Sequence, residues 1–548
     1  MSRARWVRGA LAAVPAAFLV VFFAWPVTAI VLRGLRPDGH WALSGVVDVL
    51  ADPSLRRVAW FTLWQAVVST AATVAVGLPA AYCFARFSFA GKRILWAALV
   101  VPFVLPTVVV GVAFLALVGA DSPIGLDLRG TVWAILAAHV FFNYAVVVRT
   151  VGGFWERLDP ALEDAARVLG ASRWRAVRDV TLPLLRPAVV AAASIVFLFT
   201  LTSFGVVLLL GGRTRRTLEV EIYTRTVHLL DLDTAAVLAL VQLVFVTVVL
   251  VWYSRDQQRR AVPVRMRPEA EVVRRPATTG ERAFLGVNLT VMAVLLGAPL
   301  AVLVARALRV GQGWGLGNFT ALGRSRRGSV LFVPPLEAVG NSLAFATAAT
   351  AIALVVGGLA AVAITAGPGG ARRGRVVGLL DVALMLPLAT SAATVGFGIL
   401  IAFDEPPLDL RDSLALVPIA HALVAVPFVV RTMVPVLRSV DPRLREAAAV
   451  LGAGPARVWR TIDGPLVARA VAVAAGFAFA VSLGEFGATA FVARADRPTL
   501  PVAIYRFLGQ PGAANLGQAM ALATVLMVLT VVAMLAVDRV RVGRIGEF

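Results

Sequence analysis

The sequence predicts an all-α polytopic membrane protein of about twelve transmembrane helices, arranged as two parallel six-helix repeats. Three observations predict it: the composition, the spacing of long apolar runs, and an internal repeat at one constant offset. The 548 residues are 59% hydrophobic and only 15% charged, with a mean hydropathy of +0.85. A soluble domain carries about a quarter charged residues, so most of this surface faces something other than water, and the bilayer is the natural candidate.

The formal charge of +21 does not point to nucleic acid. The cations are arginines, with Lys92 the single lysine, and they gather in short runs between apolar segments. That is how a membrane chain fixes its orientation. The single cysteine, Cys83, lies in an apolar stretch and offers neither an intrachain disulfide nor a Cys-based metal site. The N-terminus begins with Arg3, Arg5 and Arg8 and continues into an apolar run too long for a signal peptide, which predicts a retained first span.

A crossing helix needs about 20 apolar residues. Candidates in the first half run near 10–32, 58–84, 94–118, 130–151, 187–211 and 234–253. Those in the second run near 284–306, 341–365, 376–402, 413–433, 467–492 and 517–538. The longest basic loops fall on the side of the N-terminus, including the inner-loop Arg372 and Arg373 and the tail. Both termini are therefore expected in the cytoplasm, with the acidic loop around Asp404–Asp412 outside.

The halves match at an offset of 282 without gaps over about 85 residues. His139 pairs with His421, Arg149 with Arg431, Asp159-Pro160 with Asp441-Pro442, Ser203-Phe204-Gly205 with Glu485-Phe486-Gly487, and Thr217–Tyr223 with Thr499–Tyr505. Two copies of a six-span unit, an even number, are parallel repeats that leave a passage between them. The expected organisation is a first repeat over 1–255, a basic cytoplasmic linker over 256–282 and a second repeat over 283–548.

Each half has one long inner loop, 152–186 and 434–466, where short connections would suffice. Each reads as two short helices. Asp159 or Asp441 starts the first helix and Gly170 or Gly452 ends it; Pro183 or Pro465 starts the return to the membrane. Small alanines with an acidic neighbour suit close docking of a partner that offers arginine. The alternative is an amphipathic turn lying on the membrane surface, which repetition in both halves disfavours.

These residues carry a family resemblance. Glu446-Ala447-Ala448, Gly452, Ile462 and Pro465 follow, without gaps, the pattern of the permease subunits of bacterial ABC importers. The first copy, Asp164-Ala165-Ala166, Gly170, Val180 and Pro183, departs from it with Asp for Glu and Val for Ile. Asp is one methylene shorter, which implies either a weaker acidic contact at the first dock or Glu163 standing in for it.

The resemblance implies that both loops are coupling helices seated in separate ATP-binding cassette subunits, in two copies. It also implies that an extracellular binding protein delivers the solute and that the chain resides in the bacterial inner membrane. No GxxxxGK[ST] phosphate loop is present, so ATP belongs to the partner; no cofactor, metal or catalytic residue is expected on this chain. The fused form and the SFG/EFG and TLEVEIY segments resemble the subfamily importing ferric iron or thiamine, and slightly more the thiamine permeases.

Polar residues within spans are costly and point to function. Glu485 has two readings: it faces the passage and attracts a cationic solute, or it pairs with an arginine or a backbone amide near the outer face. Ser203 is its repeat partner. His139 and His421 are candidates for the pathway as well, though histidines so placed more often donate in helix packing, and Asn143 and Asn341 read as interhelical bonds. A major-facilitator secondary transporter shares the six-plus-six plan, but predicts a short loop between spans four and five. A membrane enzyme would need an interfacial cluster of acids and histidines.

Overall fold

The computed structural model describes residues 2–36, 39–41, 44–120, 122–260, 273–325, 329–365, 375–404 and 408–541. Part of the expected linker (261–272) and the orientation residues Arg372 and Arg373 lie outside them. The first half contains α1 (Leu11–Leu35), α2 (Pro53–Arg86), the bent pair α3 (Lys92–Val104 with Thr107–Val118), α4 (Val132–Trp155), α5 (Trp174–Leu201) and α6 (Leu232–Trp252). The second contains α7 (Thr279–Ala307), α8 (Glu337–Thr365), the bent pair α9 (Gly378–Leu388 with Ala392–Ala402), α10 (Leu416–Ser439), α11 (Val467–Gly484) and α12 (Ala513–Arg539). Ten helices are long and apolar enough to cross a membrane, and the bent pairs bring the total to twelve.

Four spans differ from their sequence-based outlines. The spans expected at 94–118 and 376–402 are broken by bends of 98° and 99°. In α3 the break falls at Leu105-Pro106, where proline lacks an N–H and drives its neighbour into extended backbone. In α9 Ser391 takes an extended conformation and caps the outer piece, accepting from Ala393 N. The spans expected at 187–211 and 467–492 stop at Leu201 and Gly484, and short helices Gly205–Leu210 and Thr489–Val492 follow. A Cβ on Gly205 would lie 2.5 Å from Thr107 Oγ1, and one on Gly487 would lie 3.0 Å from Ala392 Cβ. Glycine is what lets each interruption pack onto a bent helix. Irregular backbone at membrane depth is tolerated only where protein covers it.

The central helices are α4 and α10, whose apolar windows are 72% buried, whereas α7 is only 17% buried and leaves most of its surface to lipid. The first helices are exchanged. α1 packs on α8, α9 and α10 of the second half, with Pro26 and Ile30 against Gly398. α7 packs on α2 and α3 of the first half, and Met292 joins Phe84 and Tyr144 in one cluster. The described end of the linker is strapped to the first half. Arg274 N donates to Arg86 O (3.0 Å), Ser88 N donates to Arg274 O (2.9 Å), and the guanidinium makes a bidentate pair with Glu281 (2.6 and 2.9 Å).

Candidate translocation site and coupling surfaces

The interruptions after α5 and α11 lie at the helix ends remote from the long loops, and they bring repeat-related rings together. Phe204 and Phe486 stack with centroids 5.4 Å apart and planes at 23°. Each packs on the tyrosine of its own half: Phe204 on Tyr223 at 5.4 Å, Phe486 on Tyr505 at 5.7 Å. The two tyrosines meet edge-on at 6.2 Å. Phe491 adds a fifth ring, 5.5 Å from Tyr223. Phe204, Phe486 and Tyr223 are 6%, 2% and 5% exposed, so the space between the halves is shut at this level. Each aromatic contact is worth about 0.5–1.5 kcal/mol beyond its area, a seal that a conformational change can break and remake.

Behind the rings sit the polar residues singled out in the sequence, buried except for the half-buried Asn341. His139 bridges Ser69 Oγ (2.9 Å) and Ser203 Oγ (2.8 Å). His421 bridges Ser482 Oγ and Thr489 Oγ1, both at 2.7 Å, and its Nε2 lies 3.4 Å from a Glu485 carboxylate oxygen. Glu485 accepts from Ala488 N (2.8 Å), Thr489 N (3.0 Å) and Thr489 Oγ1 (2.6 Å). The carboxylate is held here by two backbone amides and a hydroxyl. Both histidines lock the interruption to α4 or α10, as packing residues do. Asn341 bonds across to Pro498 O (3.1 Å), whereas Asn143 bonds within its own helix, to His139 O (3.0 Å).

The sequence reads Thr217–Tyr223 and Thr499–Tyr505 as re-entrant or outer-face segments, facing the binding protein or packed as loops; the burial of Glu219 and the ring pairing escaped it. The segments Thr217–Tyr223 and Thr499–Tyr505 form the short helices Leu218–Tyr223 and Leu500–Leu508, and the first is wholly buried. Within it Glu219 is 0% exposed and accepts from Gln242 Nε2, where the second half has Pro501. A carboxylate inside the apolar run LEVEIY was a legible signal. The ring pairing had no signal beyond the shared phenylalanine.

At the opposite end the long loops form repeated projections. Asp159 and Asp441 accept from Ala161 N (3.0 Å) and Arg443 N (2.9 Å), starting helices Ala161–Val168 and Pro442–Val450. Gly170 (φ +91°) and Gly452 (φ +79°) end them in the left-handed region, with Ala171 N on Ala166 O and Ala453 N on Ala448 O. Asp164, Ala165, Glu446 and Ala447 are exposed, and Ala166 and Ala448 half-buried. At the tips Val168 and Leu169 are 87% and 88% exposed, and Val450 and Leu451 are 87% and 86%. Glu163 is turned inward, accepting from Thr181 Oγ1 (3.1 Å), so it does not stand in for Asp164. Pro183 and Pro465 occupy the first turns of Leu182–Leu201 and Gly464–Gly484. Wider π-type turns run directly into both helices, so the return starts earlier than the prolines.

Ten to twelve candidate crossings in two matched halves, a buried ring layer where the halves meet and twin projections at one end fit a polytopic transport permease. The chain belongs to the family described as the binding-protein-dependent transport system inner membrane component, matched twice, over residues 73–261 and 353–541. It is thus a fused double permease of the ABC importer type, a transport component and not an enzyme, and the major-facilitator alternative is set aside. The chain is similar to a probable ABC transporter permease protein of Sinorhizobium fredii (26% identical, covering 96% of this chain and 95% of the relative). It is similar as well to the thiamine transport system permease protein of Brucella suis (27%, covering 91% and 90%). The sulfate transport system permease protein of Escherichia coli is 30% identical over 43% of this chain and 87% of its own length.

Proposed function

We propose that this chain is the translocation subunit of an ATP-driven importer of a small organic cation of the thiamine class, handed over by a binding protein on the face opposite the long loops. The loops at 152–186 and 434–466 seat in two copies of a separate ATPase subunit on the cytoplasmic side, where both termini also lie. The observation that carries this reading is the matched pair of exposed apolar tips, Val168-Leu169 and Val450-Leu451, each held out by a left-handed glycine. Exposed apolar groups at equivalent points of both halves mark contact surfaces.

The ring layer supports an aromatic cation as cargo, since π-faces attract a cation and stack on a flat heterocycle. The thiamine permeases among the relatives, aligned over nine-tenths of the chain, support the same choice. Glu485 and His421 hold the second half's side of the seal, and Ser203 with His139 the first's.

The test is uptake of labelled thiamine into cells expressing the complete transporter, with ferric citrate and sulfate as competing arms, and pull-down of the ATPase on the tagged chain. ATP-dependent thiamine uptake is expected. Uptake of iron or sulfate instead would reassign the substrate, and a chain that pulls down no ATPase would remove the mechanism.

A further inference from the structure

The second half has a chamber of about 350 Å³ at the end remote from the long loops. Its walls include Phe403, Arg411, Asp412, Arg494 and Asp496, and its floor is Phe491. Phe491 also belongs to the ring layer, 5.5 Å from Tyr223 and 6.4 Å from Phe204, so the chamber adjoins the seal. Phe403 is backed by Phe22 (5.7 Å) and Trp25 (6.1 Å) of the exchanged α1.

The repeat-related positions of the first half carry different residues. At the offset of 282, Gly130 stands where Asp412 is, Gly212 where Arg494 is, Thr214 where Asp496 is, and Leu209 where Phe491 is. In the first half the two loops touch: Gly130 N donates to Leu210 O (3.0 Å), and a Cβ on Gly212 would lie 3.3 Å from Gly130 Cα. Both glycines have positive φ, +69° and +61°. At the equivalent positions the second half has Asp412 and Arg494, and the Arg494 side chain lies between the two loops.

Arg494 spans the mouth, with Nη1 donating to Asp412 O (2.5 Å) and Nε to Asp496 Oδ1 (3.0 Å). The neighbouring Arg494 holds the Asp496 carboxyl below its ordinary range. The Asp412 side chain is fully exposed, 3.8 Å from Arg494.

We propose that this chamber is a receiving site for the solute: an aromatic organic cation packs on the Phe491 side of the chamber while its charge displaces Arg494 from Asp412 and Asp496. The cation class rests on the proposed function. The volume falls in the range of small-ligand sites, about 300–1,000 Å³.

The test uses the full chain with its ATPase in lipid nanodiscs, carrying Ala495→Cys in the chamber wall or Arg213→Cys at the equivalent first-half position. The native Cys83 is buried and stays silent. Modification by a cationic methanethiosulfonate is timed with thiamine, N-methylpyridinium or sulfate present. Either organic cation should slow labelling of Ala495→Cys about five-fold at millimolar concentration, as a millimolar site requires, and leave Arg213→Cys unchanged. Adding Asp412→Asn and Asp496→Asn should remove the protection. Equal protection at both cysteines, protection by sulfate as strong as by the cations, or none at Ala495→Cys overturns the proposal. Should N-methylpyridinium protect while intact cells take up no thiamine, the thiamine assignment falls and the chamber stands.

Discussion

The two ends of this molecule treat its internal symmetry in opposite ways. At the coupling loops the halves are nearly interchangeable: the same aspartate cap, the same left-handed glycine, the same exposed Val-Leu pair. At the sealed end they diverge, with Ser203 facing Glu485, Glu219 facing Pro501, and a Gly130–Gly212 contact facing an open chamber. The difference teaches where constraint lies. On the proposed function, surfaces meeting two copies of one partner must stay alike, whereas a passage for one asymmetric solute has no reason to.

The largest effect that would break this comparison is expected from Gly452→Pro. Proline cannot adopt φ +79°, so the projection must refold. Uptake should fall by two orders of magnitude or more (~3 kcal/mol of coupling at least) with membrane abundance unchanged. Gly170→Pro should match it, and a variant of either position with full uptake would show that the tips are not equivalent. Glu446→Lys should also abolish uptake, whereas Asp164→Glu, restoring the longer acid, should leave it intact.

A smaller loss is expected at the seal. Phe486→Ala removes the stack with Phe204 and the contact with Tyr505, so proteoliposomes should leak solute without ATP. A tight Phe486→Ala vesicle would mean that another layer closes the passage.

The histidines sharpen the contrast between halves. His421→Ala strips a partner from Ser482, Thr489 and the buried Glu485, and should cost about 1–3 kcal/mol of stability. His139→Ala leaves only the neutral hydroxyls of Ser69 and Ser203, and should cost nearer 1 kcal/mol. Thermal unfolding in detergent measures both; equal shifts would deny Glu485 any special weight. The smallest effect belongs to Arg274→Ala. Its half-exposed pair with Glu281 contributes about 0.2–1 kcal/mol, so the linker strap should loosen, seen as faster proteolysis near Arg274, with little change in uptake.

Sequence alone determined the membrane character, the outlines of ten to twelve candidate crossings, the duplication and the two long paired loops. Each rests on local physics: the length of an apolar run, a cap and a glycine at fixed spacing, and residues repeated at one offset. The tertiary structure alone decided which helix belongs to which body, that α3 and α9 bend by nearly a right angle, and that α5 and α11 stop short. Periodicity cannot register these, because a bent or interrupted apolar run has the same hydropathy as a straight one. Glu485 shows the limit most clearly. The letters placed a carboxylate in an apolar span, and only the packing around it supplied two amides, a hydroxyl and a histidine to hold it there.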